Sequence, residues 1–274
     1  MRKTFLTLAM FSLIALALGQ QTTTSYAQEK EEGWLGSMAR KSQNFCYNMM
    51  ACTFWDPMMS GFQPGRRMAM VQLDIQPNDR ILFVGEGTGL DFEVLPSTFN
   101  TRNLMAFDYS PEMVKQAKLK APKFNIPIEN CFEGDAQKLP FKEEKFDKIY
   151  FPLSLGSIPN PCLALKEAER VLERNGKVVI FEKLLDDGQQ LSWGRWAMGL
   201  VTRWLFADIN RNLTQMMGSD TSLKIIRYES TEGKLTGILG WLLAPYYRVA
   251  TLVRAEEYPD FPAIHAILNR LKQD

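Results

Sequence analysis

From Asp79 onward the chain alternates apolar runs of strand length with helical patterns, and few folds accept that order. The runs are 80–84 (RILFV), 103–107 (NLMAF), 146–151 (FDKIYF) and 177–182 (KVVIFE), with a weaker one near 127–132. The clearest helical stretch between them is 161–174 (PCLALKEAERVLER). Its Leu163, Ala164, Ala168, Val171 and Leu172 share one face, and Asn175-Gly176 is expected to end it. Strands alternating with helices build βαβ units, hence a parallel sheet covered on both faces. Two more β-rich runs, 222–229 and 247–253, follow a helical stretch at 191–206. The expected fold is α/β: a doubly wound, mostly parallel sheet of seven strands.

The segment ahead of this alternation has a different texture. Residues 33 to 60 gather Trp34, Phe45, Tyr47, Phe54 and Trp55 with Met49, Met50, Met58 and Met59, and Pro57 and Gly61 predict one or two short helices there rather than a long one. A helix over 64–73 follows, opened by Pro64. At the start, Arg2 and Lys3 precede an uncharged apolar stretch from Thr4 to Gly19 and then a polar run. That stretch is short for a membrane span and suits a signal peptide, with cleavage expected after Ala27, or an uncleaved anchor. The chain thus divides into a leader and linker (1–32), an N-terminal helical segment for substrate or membrane contact (33–78), a main domain (79–254) and a C-terminal amphipathic helix (255–274). In the last, Ile264, Ile267, Leu268 and Leu271 fall at helical spacing.

Composition removes several functions. The 32 basic residues balance 31 acidic ones, so no global field favours nucleic acid. One histidine and four cysteines without a Cys-x-x-Cys pair leave no metal site of usual spacing, and free thiols are expected.

What remains is the turn "ILFVGEGTGL". Gly85, Gly87 and Gly89 sit behind the first strand, where ligands bind in parallel sheets, and the next helix would open on free amides. The spacing is G-x-G-x-G: Thr88 and Leu90 break a dinucleotide fingerprint, and no lysine makes a P-loop. The second strand ends in Asp108, nineteen positions after Gly89, where a carboxylate can accept both hydroxyls of a ribose. Ser110-Pro111 caps a helix, and Asp135 stands after the third strand. Three strand ends present polar groups to one rim.

These residues resemble class I S-adenosylmethionine-dependent methyltransferases. "ILFVGEGTG", "MAFDYSPEMVKQAK", "EGDAQKLPF", "FDKIYFPLSLGSIPN" and "EAERVLERNGKVVIFE" follow one another at that family's order and spacing over residues 79 to 185. The resemblance implies a Rossmann-like methyltransferase fold closed by an antiparallel strand pair, and S-adenosyl-L-methionine as cofactor. It also implies site roles. The turn Gly85-Glu86-Gly87-Thr88-Gly89 passes under the methionine part, with Glu86 toward its ammonium. Asp108 takes the ribose, Asp135 and Ala136 the adenine, Tyr109 and Met113 flank its ring, and Pro152 ends the fourth strand beside it.

Within the family, residues 47–89 are similar to bacterial phosphatidylethanolamine N-methyltransferases and to quinone-ring methyltransferases, and "ADINRNLTQMM" (207–217) is similar to the former. Many such relatives carry a histidine after the fourth strand; this chain has Leu155-Gly156-Ser157. The expectation is methyl transfer to a membrane-resident acceptor, foremost a phospholipid headgroup amine, with Arg66 and Arg67 on its phosphate and Tyr47, Phe54 and Trp55 around the amine. A quinone ring, a small thiol and a non-catalytic binding module are the alternatives. The leader favours an exported domain, the cytosolic origin of the cofactor an anchored cytosolic one; both bring the chain to a membrane.

Overall fold

The computed structural model describes residues 34–51, 55–189, 207–218, 221–231 and 247–257, with single positions between 196 and 205. The leader, Phe54, most of the 191–206 stretch and the stripe at 264–271 lie outside the described residues.

Seven strands form one sheet: β1 (Ile81–Val84), β2 (Leu104–Asp108), β3 (Cys131–Glu133), β4 (Phe146–Pro152), β5 (Leu172–Lys183), β6 (Leu223–Ser230) and β7 (Tyr247–Arg254). Their order is β3-β2-β1-β4-β5-β7-β6. The first five are parallel, and β7 runs antiparallel to both β5 and β6. The order reverses between β1 and β4, which opens a crevice beyond their carboxyl ends.

Strand alternation splits the core between two faces. Ile81, Phe83, Val179 and Phe181 pack on one side with Leu73, Tyr150 and Tyr247. Leu82, Val84, Val178 and Ile180 pack on the other with Leu165, Ala168 and Leu252. Both faces are covered, so the strands read as nearly unbroken apolar runs.

The helices on the described residues are α1 (Trp34–Ala51), α2 (Trp55–Met59), α3 (Gln63–Leu73), α4 (Pro111–Lys120), α5 (Pro161–Val171) and α6 (Leu213–Met217). α4 and α5 start alike. Ser110 and Asn160 accept the N–H groups of Met113 and Leu163, and a proline fills the first helical position.

Three expectations are corrected. α1 is one helix of 18 residues, because the breakers Pro57 and Gly61 both fall after its end. α5 stops at Val171, three residues early: buried Leu172 turns extended to pair with Phe146, and Asn175-Gly176 forms a bulge inside β5 instead of a cap. After the glycine turn comes a five-residue 3₁₀ segment, Leu90–Val94, not an α-helix, and Pro96 lies just beyond it.

Candidate active site

The carboxyl ends of β1, β2 and β4 meet under α1 and α2 and enclose a cavity whose empty space is ≈ 960 Å³ out to its mouth. Its floor is the glycine turn. Gly85 and Glu86 donate their N–H groups to Phe107 O (2.8 and 3.0 Å), which bends the chain back over β2. All three glycines have positive φ. Packing explains two of them: a methyl at Gly85 would strike Ser154, and one at Gly89 the ring of Phe92. At Gly87 the nearest atoms to such a methyl are Trp55 Nε1 at 3.7 Å and Met113 Sδ at 3.9 Å. Gly87 is therefore the position where bare backbone meets open cavity.

Asp108 holds this turn in place. Its Oδ2 accepts the Gly87 N–H (2.9 Å) and its Oδ1 the Ser110 N–H (2.8 Å). Burial raises its carboxyl above the ordinary value, against the pull of these N–H groups. Asp108 itself lines the cavity. On the next strand end, Asp135 Oδ1 accepts the Gln137 N–H at 2.9 Å, and Ala136 is buried beside it.

The far end of the cavity carries a charged cluster. Arg66 on α3 is 3% exposed and pairs through Nη1 with Asp91 Oδ2, itself fully buried. Glu86 Oε1 accepts the Asp91 N–H at 3.2 Å. Three buried atoms of this cluster have no partner: Glu86 Oε2, Arg66 Nε and Asp91 Oδ1. Burial raises the Glu86 carboxyl well above its usual range, and the Arg66 guanidinium only partly offsets that. Unsatisfied buried charge of this kind is costly unless a ligand completes it. A ligand bearing one ammonium and one carboxylate would do so.

The roof is aromatic. Tyr47 on α1 and Trp55 on α2 stand edge to face at 5.3 Å and both line the cavity, with Met59 beside them. Leu153, Ser157 and Ile158 form the adjoining wall.

Of the residues expected at the site, Gly85, Glu86, Gly87, Asp108, Tyr109, Met113, Asp135, Ala136, Pro152, Tyr47, Trp55 and Arg66 line this one cavity. Thr88 and Gly89 do not; the Thr88 hydroxyl donates to Asp56 on α2. Arg67 is exposed on α3, away from the lining. Sequence reasoning missed Asp91, Asn44 and Ser157. Asn44 Oδ1 is buried without a partner on the cavity wall. Its only advance signal was a polar residue inside an aromatic helix. Among the described residues no group of His, Cys, Asp or Glu could hold a metal ion.

Comparison with known proteins agrees with this geometry. Residues 82–180 match the family model described as a methyltransferase domain. A ubiquinone/menaquinone biosynthesis C-methyltransferase of Geotalea daltonii is 32% identical over 124 residues, covering 43% of this chain and 51% of that protein. A phosphatidylethanolamine N-methyltransferase of Cereibacter sphaeroides is 31% identical over 109 residues, covering 39% and 52%. The chain thus spans about half the length of these curated relatives. Among solved structures, geranyl diphosphate C-methyltransferase from Streptomyces coelicolor A3(2), with S-adenosyl-L-homocysteine present, superposes with a TM-score of 0.54. That match covers 70% of this chain and 79% of the other at 14% identity, a likeness of fold. Residues 82–180 thus match a methyltransferase domain, and the chain is similar to S-adenosylmethionine-dependent methyltransferases in sequence and fold.

Proposed function

We propose that the protein transfers the methyl group of S-adenosylmethionine to an apolar, membrane-resident acceptor, and that the reacting part of this acceptor is a ring of the hydroquinone type. Bound in the cavity, the cofactor supplies a methyl on a sulfonium, open to in-line attack. The protein's share is holding and drying. Glu86 Oε2 would take the ammonium and Arg66 Nε the carboxylate, which satisfies two of the three partnerless atoms of that cluster. Asp108 would receive the ribose hydroxyls, Asp135 and Ala136 the adenine edge, with Met113 and Tyr109 on its faces. The acceptor then approaches under Tyr47, Trp55, Met59 and Ile158, where aromatic and apolar walls exclude water and fix the line of attack.

One observation supports the ring over a phospholipid headgroup. A headgroup brings a phosphate, and among the described residues the cavity offers carboxylates at Glu86, Asp108 and Asp135 against one arginine, already paired to Asp91. Arg67 lies outside the lining. The second reading, a headgroup amine, keeps one argument: the Tyr47 and Trp55 rings could hold the methylated cation. Membrane association rests on the leader sequence, and no described helix is long and apolar enough to span a bilayer.

The test is transfer of labelled methyl from S-adenosylmethionine in vesicles carrying either a demethylated prenyl hydroquinone or phosphatidylethanolamine. Label is expected in the quinone, at equal rates for wild type and Arg67→Ala. Label in the lipid alone, reduced by Arg67→Ala, would transfer the assignment to the headgroup.

A further inference from the structure

We infer that Arg211 and Glu182 are positioning residues for the acceptor, acting through the loop after β4. The inference rests on the methyltransferase reading of the cavity and adds how its acceptor wall is held. Residues 153–159 leave β4 with Leu153 at φ 56°, a left-handed conformation that a branched side chain adopts only when its surroundings impose it. The loop then supplies Leu153, Ser157 and Ile158 to the wall opposite the cofactor cradle. A loop that walls a reacting centre must be stiff, because small misplacements cost rate.

Its stiffness comes from behind. Arg211 Nη1 donates to two carbonyls of the loop, Leu155 O at 2.7 Å and Ile158 O at 2.6 Å. One guanidinium nitrogen thereby sets the spacing of the two residues that bracket Ser157. Glu182 Oε2, at the end of β5, accepts the Gly156 N–H at 2.8 Å, while its Oε1 accepts the Lys183 N–H. Asp208 N–H closes the third side on Gly156 O at 2.9 Å. Arg211 is 7% exposed and Glu182 3%, and neither lines the cavity. A methyl at Gly156 would meet Asp208 O at 3.2 Å and Glu182 Oε2 at 3.3 Å, so this packing is tight as well as hydrogen-bonded.

The cradle for the cofactor is built mainly on other elements, the β1 turn, the end of β2 and the residues after β3, and meets the loop at Ser154, whose hydroxyl donates to Val84 O rather than to Arg211 or Glu182. Loosening the loop should therefore spare cofactor affinity and damage acceptor fit. This split is what separates a positioning role from a merely structural one.

The experiment uses the full chain as wild type, Arg211→Lys, Arg211→Met and Glu182→Gln. Three quantities are measured: hydrogen–deuterium exchange of residues 153–159, calorimetric affinity for S-adenosylhomocysteine, and kcat and KM for whichever vesicle-borne acceptor the wild type methylates. Arg211→Met is expected to speed exchange in the loop and raise acceptor KM by about tenfold, with nucleoside affinity unchanged within about threefold. Arg211→Lys, which keeps a donor to one carbonyl, should recover part of both, and Glu182→Gln should move them in the same direction as Arg211→Met. Should Arg211→Met fail to fold, Arg211→Lys and Glu182→Gln carry the test alone. Unchanged loop exchange in the folded variants, an unchanged KM, or nucleoside affinity falling as far as KM rises would each overturn the inference. A wild type inactive on both acceptors would count against the proposed acceptors. Loop exchange and nucleoside affinity would then still decide whether Arg211 and Glu182 hold this wall.

Discussion

Glu86 concentrates the electrostatics of the cavity in one side chain. Burial raises its carboxyl, Arg66 pulls the other way, and Oε2 faces no partner. A carboxyl raised in the folded state contributes stability below its unfolded value, and that contribution is lost as pH rises through the folded value. At neutral pH the cofactor-free protein therefore carries Glu86 as a cost that an ammonium bound at Oε2 would relieve. Glu86→Gln should raise the thermal midpoint of the cofactor-free protein at pH 7.5 and leave it unchanged near pH 4. The same variant should lose at least about tenfold in S-adenosylmethionine affinity, since a charge-assisted bond contributes roughly 1.5–3 kcal/mol. Wild-type affinity should fall as pH drops through the raised value, and the variant's should not. A cofactor-free Glu86→Gln midpoint at or below wild type at pH 7.5 would falsify this account of Glu86. Glu86 and Asp108 were legible in the sequence because each follows an apolar strand run at a position where the chain must turn. Asp91 was not: its significance comes from Arg66, 25 residues earlier on another element. Arg66 and Arg67 read alike as a pair, and only the packing of α3 sends one inward and the other to solvent.

Elements decide how the cavity is covered. α2 is tied down by Asp56, whose carboxylate receives the Thr88 hydroxyl and the Lys120 ammonium. Asp56 is 38% exposed, so the latch contributes no more than a surface ion pair, about 0.5–1 kcal/mol. Asp56→Ala should then release S-adenosylhomocysteine about two- to fivefold faster, read by stopped-flow fluorescence of Trp55, with little change in thermal midpoint. Unaltered release would mean that α2 does not gate the site. α3, which carries Arg66 to the far end of the cavity, is fixed on the sheet. Gly65 lies flat on the ring of buried Phe181, where a methyl would overlap it. Gly65→Ala should cost about 1–3 kcal/mol in urea unfolding, although alanine favours a helix by up to about 1 kcal/mol elsewhere; a stabilised variant would show that Phe181 yields. The same tertiary contacts explain which boundaries the sequence concealed. Helical periodicity runs to Arg174, yet Leu172 is drawn into the sheet by Phe146, and local pattern carries no record of that pairing. The 18-residue α1 was hidden because its aromatic content reads equally as core or as surface until α4 is seen beside it, with Ser110 Oγ donating to Asn48 Oδ1.

At the scale of the whole molecule, the strand order places the glycine turn, Asp108, Asp135 and Pro152 on one rim. The reversal between β1 and β4 forces the crevice, and the ends of β1, β2 and β4 fill it with a glycine turn, a carboxylate and a proline-terminated loop. This much follows from alternation and spacing alone, because a parallel sheet has one ligand-binding edge. The acceptor side does not follow, since its wall is assembled from α1, α2 and the 153–159 loop, whose positions depend on long-range contacts such as Arg211 with Leu155. The central claim is that this rim binds S-adenosylmethionine, and calorimetric titration of the cofactor into wild type and Asp108→Ala measures it most directly. Asp108→Ala removes the acceptor of the Gly87 N–H together with the proposed ribose contact, so the account predicts saturable binding to wild type and an affinity at least about tenfold weaker in the folded variant. Equal affinity in the two proteins, or no binding to the wild type, would contradict it.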